Sequence, residues 1–243
     1  PTVGSDNIIT LSVKNALGDI DTTFNGIKNV TIFGYNQAPN GSIGHLNGQP
    51  LTSSSQLVAL GFTNGVATVS LKLNAATTQS IGFIVSGVST ATTNSLTITP
   101  VAGSAASMKV TTDLKAPTIN GGIFSQQPVV TLYDAYENIS VNDYTKVITV
   151  AKKDAGAWML TGTLTAKANA GIVSFSDLGS VNAANVSSAQ LSFDATGLGQ
   201  ITSSAVTLLP KPFTVSFDVN GGSPVIDLTI SYGDKIIAPT APT

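Results

Sequence analysis

Gly65-Val66-Ala67-Thr68-Val69-Ser70 and Gly171-Ile172-Val173-Ser174-Phe175-Ser176 are two versions of one phrase: a glycine, then apolar side chains at every second position. A period of two sends successive side chains to opposite faces of a strand. Ala67, Val69 and Leu71 therefore share one face, and Thr68, Ser70 and Lys72 the other. The same alternation runs through Ile81, Phe83 and Val85 and is answered by Leu191, Phe193 and Ala195. Two further matches flank these phrases. Thr10-Leu11 pairs with Thr131-Leu132, and Leu96-Thr97-Ile98-Thr99-Pro100 with Val206-Thr207-Leu208-Leu209-Pro210. Segments of this kind read as half-buried antiparallel strands, and their recurrence reads as a tandem array.

Turn formers stand between the strands. Asn25-Gly26, Asn40-Gly41, Asn47-Gly48, Asn64-Gly65, Asn120-Gly121 and Asn220-Gly221 all suit the positive φ of tight hairpin turns. The chain has one glutamate, Glu137, and no arginine, so the residues that favour helices are scarce while Thr, Val, Ile, Ser and Asn abound. No stretch keeps a helical period. The expectation is an all-β protein built of tandem β-sandwiches.

The two copies differ in two places. The first carries about 15 extra residues around Tyr35 to Leu60, read as a long loop or added hairpin. The second has a strand candidate, Ala106-Ser107-Met108-Lys109-Val110-Thr111, with no counterpart in the first. The first sandwich is accordingly expected to lack its opening strand, and the chain to be a piece of a longer protein.

Composition narrows the function. Hydrophobic residues make up 42% of the chain and charged ones 10%, enough for two cores and too apolar for general disorder. Eleven lysines against 13 acidic residues form no basic cluster beyond Lys152-Lys153, which argues against a nucleic-acid partner. No segment has the ~20 apolar residues of a membrane span. The chain has no cysteine, so the fold must hold by packing alone, whether outside the cell or in the cytosol.

Chemistry-bearing residues are few. His45 is the only histidine, which leaves neither a nucleophilic triad nor a zinc cluster, and no catalytic, cofactor-binding or metal-binding residue is assigned. Asp134 and Glu137 are spaced as a turn rather than as an acid-base pair. Asp6, Asp19 and Asp21 lack the Asp-x-Asp-x-Asp-Gly run of a calcium loop. Trp158, with Tyr133, Tyr136 and Tyr144, is the candidate ligand-contacting set. A sugar-stacking platform would expose Trp158 and a tyrosine in one plane, whereas a spacer would bury Trp158 in its core.

The second copy reads Gln127-Pro128-Val129-Val130-Thr131-Leu132-Tyr133-Asp134-Ala135-Tyr136-Glu137-Asn138, then Leu160-Thr161-Gly162-Thr163, then Gly171-Ile172-Val173-Ser174-Phe175-Ser176-Asp177-Leu178. It resembles the bacterial Ig-like repeats of invasin/intimin-type surface proteins, with Glu137 where that family has glycine, so its turn is expected to be made differently. Lys14-Asn15-Ala16-Leu17-Gly18-Asp19 is the more distant first copy. Phe213-Thr214-Val215-Ser216-Phe217-Asp218-Val219-Asn220-Gly221-Gly222-Ser223-Pro224, with Tyr232-Gly233-Asp234-Lys235 and Pro239-Thr240-Ala241-Pro242, resembles the opening half of an internalin B-type (Listeria-Bacteroides) repeat, a partial β-grasp-like module.

These resemblances imply an Ig-like sandwich over residues 1–102, a second over 103–210, and half a repeat over 211–243. They further imply an extracellular or bacterial cell-surface location and a non-catalytic stalk or adhesion role. Partners would be neighbouring domains and a host or cell-wall glycan or protein, with no cofactor. The rival reading is an accessory carbohydrate-binding region of an extracellular polysaccharide-degrading enzyme.

Overall fold

Alternation becomes burial wherever two strands bring their apolar faces together. In the computed structural model, which describes residues 1–88, 95–231 and 234–237, Ala67, Val69, Leu71 and Leu73 are all buried while Thr68 is exposed. The regular structure is strand throughout, with no α-helix among the described residues. Contacts divide the chain into two units. The first is Pro1–Ala106 with Tyr133–Asn142; the second is Ser107–Leu132 with Asp143–Thr243.

The first unit contains β1 (Asp6–Ser12), β2 (Gly26–Phe33), β3 (Gly44–Leu46), β4 (Gln49–Pro50), β5 (Ser55–Phe62), β6 (Val66–Leu73), β7 (Gln79–Val85) and β8 (Leu96–Ile98). They form two antiparallel sheets, ordered β1-β6-β3-β4 and β5-β2-β7-β8. Leu46, Ala67, Val69 and Leu71 of one sheet and Val30, Ile32, Leu60, Phe62 and Ile81 of the other join a single buried cluster, so the sheets are the two layers of a sandwich. Full burial of each such Leu, Ile or Phe contributes ~1.5–3 kcal/mol. The extra residues of the first copy form the β3–β4 hairpin, turning at Asn47-Gly48 with φ of 50° and 78°.

The second unit contains β9 (Ser107–Thr112), β10 (Val129–Tyr133), whose last residue falls in the first unit, β11 (Val147–Lys152), β12 (Trp158–Thr161), β13 (Thr165–Lys167), β14 (Ile172–Ser174), β15 (Gly179–Asn182), β16 (Val186–Ala189), β17 (Leu191–Ala195), β18 (Leu198–Thr202) and β19 (Val206–Leu208). Its larger sheets run β14-β10-β9 and β13-β11-β17-β18. Phe175, just past β14, meets Phe193 of β17 at a ring separation of 5.8 Å, which ties the two layers together. A hairpin, β20 (Phe213–Val215) with β21 (Leu228–Ile230), pairs Phe213 with Ile230 and leaves Phe213 half exposed. The Tyr232-Gly233 and Pro239–Pro242 parts of the tail motif lie outside the described residues.

Two expectations need correction. In β1–β6 the Val13 N–H donates to the Gly65 carbonyl (2.8 Å), and in β10–β14 the Leu132 N–H donates to the Gly171 carbonyl (2.8 Å). Ser12-Val13, not Thr10-Leu11, is therefore the counterpart of Thr131-Leu132. Glu137 also does not force a different turn. It adopts φ 64° itself, in the left-handed region where the matching Gly18 has φ 90°.

Candidate functional site

The two copies of the turn after this strand share a bonding pattern residue for residue. The Asn15 side-chain oxygen accepts from the N–H groups of Leu17 (2.9 Å) and Asp19 (3.1 Å), and the Asp134 carboxylate accepts from those of Tyr136 (2.8 Å) and Asn138 (3.0 Å). Gly18 N–H donates to the Asn15 carbonyl and Glu137 N–H to that of Asp134. Short polar side chains that bond their own backbone in this way make Asx turns. Asp134 thus caps a turn, as its spacing from Glu137 indicated.

The second copy of the turn is built into the first unit. Asp134 and Asn138 are buried there. The Asp134 carboxylate accepts the Gly103 N–H (2.9 Å), and the Asn138 amide donates to the Asn74 carbonyl (2.9 Å) while its oxygen accepts the Ala76 N–H (2.9 Å). Asn40 N–H donates to the Tyr136 carbonyl (3.3 Å), and the Tyr136 ring lies against Gly4, where any Cβ would collide with it. Charged hydrogen bonds withdrawn from water in this way are the stronger ones. Among the described residues the first copy of the turn makes no such bonds, and Leu17 is 88% exposed.

Trp158 is the buried member of the aromatic set, 5% exposed at the start of β12. Its indole N–H donates to the Asp154 carboxylate (2.8 Å), which also accepts the N–H groups of Gly156 (2.7 Å) and Gln190 (2.8 Å). Burial alone would raise the Asp154 pKa, but the Gln190, Trp158 and Gly156 donors stabilise the anion and hold it below the ordinary carboxylate value. Lys152 sits 5.5 Å from the indole ring centroid and donates to the Gly156 and Trp158 carbonyls. Asp154 thereby pins the break between β16 and β17, at Gln190. A shallow hollow of about 450 Å³ opens beside this loop, lined by Trp158, Met159, Val181 and Lys152, with 67% of Met159 exposed.

The four candidate aromatic residues fall in both units. Tyr133 and Tyr136 belong to the first unit and are half-buried, whereas Trp158 and Tyr144 belong to the second, and only Tyr144 of the four is exposed. His45 lies on β3 with Nδ1 buried and without a hydrogen-bond partner. Asp6 pairs with Lys72 at 3.7 Å, and Asp21 caps Thr23. Among the described residues no group of three or more His, Cys, Asp or Glu side chains is placed to hold a metal ion, and no helix is long and apolar enough to cross a membrane. Asp154 and Asn74 escaped sequence reasoning; the acid four residues before the sole tryptophan was the available signal for the first.

Strand content, sheet pairing and the inter-sheet core define an all-β protein of tandem sandwich units. No protein-family model and no curated protein matches the chain. Among solved structures, it is similar to invasin, a bacterial integrin-binding protein, at 15% identity and a TM-score of 0.32, over 89% of this chain and 38% of that one. It is also similar to domains 5–6 of the S-layer protein SbsC, at 16% identity and a TM-score of 0.29, over 86% and 91% of the two chains. Parabacteroides merdae β-glucuronidase is similar at 15% identity and a TM-score of 0.29, over 72% of this chain and 20% of that one. The chain thus spans a fifth of the length of the glucuronidase. At these TM-scores the likenesses carry no argument, and the fold assignment stands on the strands and their pairing.

Proposed function

We propose that this chain is a non-catalytic stalk or adhesion segment of a bacterial cell-surface or secreted protein, with two Ig-like sandwiches over residues 1–102 and 103–210 and half an internalin B-type repeat over 211–243. One observation carries the reading: Tyr133–Asn142, from the second sequence copy, folds as part of the first unit, so the first copy is completed by a segment of the second. Such interlocking suits a chain whose task is to hold distance and transmit tension. Trp158 is used up in the clasp with Asp154 and Lys152 rather than offered as a stacking surface, which favours a spacer over a carbohydrate-binding region.

The test is sedimentation of the chain with insoluble cellulose, chitin, xylan and peptidoglycan, with Trp158 emission recorded. The chain is expected to stay in the supernatant with unchanged emission. Retention on any of the four accompanied by a change in Trp158 emission overturns the spacer reading in favour of glycan binding.

A further inference from the structure

The two units agree in one sheet and differ in the other. β5-β2-β7-β8 and β13-β11-β17-β18 take four strands in the same order, so β5 and β13 both end their sheets. In the other layer β10 lies between β14 and β9, whereas β1 pairs with β6 and, among the described residues, has no strand on its other side. β1 and β10 are the same strand of the two copies, because Val13 bonds Gly65 as Leu132 bonds Gly171. The place that β9 fills on β10 is therefore open on β1.

Alternate residues of an antiparallel strand turn their N–H and C=O groups to opposite sides. Leu132 turns to β14, so Thr131 and Tyr133 turn the other way: the Tyr133 carbonyl accepts the Ala106 N–H (2.7 Å), and the Thr131 and Thr111 hydroxyls bond at 2.8 Å. By the same alternation Val13, Leu11 and Ile9 turn to β6, and Ser12, Thr10 and Ile8 to the open side. Burial follows the difference. Thr131 is 5% exposed and Val130 fully buried, whereas Ser12 is exposed and Leu11, at the position of Val130, is half-buried. The open edge is also not blunted. Asp6–Ser12 has seven residues without proline or lysine, in unbroken register from Asp6 on Lys72 to Ser12 on Val66, while β4, at the far end of the same sheet, is two residues long and ends on Pro50.

We propose that the open edge of β1 is an acceptor site for one added strand of the β9 kind. The occupant is an extended peptide that pairs its backbone with Ile8, Thr10 and Ser12, buries an apolar side chain as β9 buries Met108, and brings a hydroxyl to Ser12 as Thr111 does to Thr131. Added strands draw affinity from main-chain bonds and selectivity from alternate side chains, so Ser107–Thr112 itself defines the chemistry that fits. Within the chain that segment is committed to β10, which leaves the β1 edge free for a strand supplied in trans. The stalk reading does not depend on this site, and failure of one leaves the other standing.

Amide hydrogen exchange of the 243-residue chain, with and without an excess of a synthetic peptide of residues 105–114, tests the site. In the chain alone the Ile8, Thr10 and Ser12 amides are expected to exchange fast and those of Ile9 and Leu11 slowly. The peptide is expected to slow Ile8, Thr10 and Ser12 by about tenfold or more in a saturable way, with the amides of Val129–Tyr133 unchanged. Thr10→Pro removes an outward N–H and no bond to β6, so it is expected to abolish the slowing while the Val69 amide stays protected. No slowing by the peptide overturns the proposal, as does slow exchange of Ile8, Thr10 and Ser12 in the dilute chain alone, which would mean that the edge is already covered. Protection that rises with chain concentration in the absence of peptide overturns it too, since the occupant would then be a second copy.

Discussion

The amide of Asn138 donates to the backbone carbonyl of Asn74 across 2.9 Å, joining residues 64 positions apart in the sequence. Asn74 is the first residue after β6, and Asn138 ends the Asp134 turn, so one buried bond closes the first unit with a segment from the second copy. Asn138→Ala strands the Asn74 carbonyl and the Ala76 N–H and is expected to cost ~2–4 kcal/mol. Asn138→Asp replaces the amide donor to the Asn74 carbonyl and the Asp134 carboxylate with a second carboxylate and is expected to cost more than Asn138→Ala. Urea unfolding of the two variants checks both; a cost under ~0.5 kcal/mol for Asn138→Ala would show that the bond is incidental.

Trp158→Ala removes a buried ring and is expected to destabilise the second unit by ~3–5 kcal/mol. Trp158→Phe keeps most of the volume and loses the indole donor to Asp154, for ~1–2 kcal/mol. Since Trp158 is the sole tryptophan, native emission should be blue-shifted and move to the water-exposed value on unfolding. An exposed-type spectrum in the native state would contradict its burial.

Asp154 ties stability to pH. Its folded pKa is depressed, so the stabilisation it brings is present above the unfolded carboxylate value of ~3.9 and is lost as pH falls through the lower folded value. Asp143, held down by the Thr145 and Lys146 N–H groups against its own desolvation, acts in the same sense. Denaturant midpoints should therefore decline with acid, and Asp154→Asn should flatten the decline while lowering the midpoint at neutral pH. An unchanged slope would mean that the Asp154 bonds are not maintained in solution.

Ala170 stands at φ 51° ahead of Gly171 at 75°, a pair of left-handed residues in a tight turn. Ala170→Gly relieves the Cβ strain and is expected to stabilise by ~0.5–1 kcal/mol, read as a higher thermal midpoint. The matching turn of the first copy already has Asn64 there, a residue that tolerates φ 48°.

The strands and turns were legible because alternation and Asn-Gly pairs are local. Register was not: sliding one copy by two residues keeps every side chain on its face, so Thr10-Leu11 fitted the pattern as well as Ser12-Val13. Glu137 misled because a glycine is read as a requirement, while tertiary contacts can hold another residue at positive φ. The burial of Trp158 was legible from its place at a strand start. That Tyr133 and Tyr136 belong to the first unit was not, because unit membership depends on partners such as Asn74 that no local pattern marks.

The placement of Tyr133–Asn142 also sets a timetable. A chain emerging N-terminus first exposes all of Pro1–Ala106 well before its missing turn arrives, and Ser107–Leu132, which belongs to the other unit, must pass in between. Until Asp134 and Asn138 are out, the Gly103 N–H and the Asn74 carbonyl lack the partners they have in the folded chain, so completion of the first sandwich waits on a segment that its successor delivers.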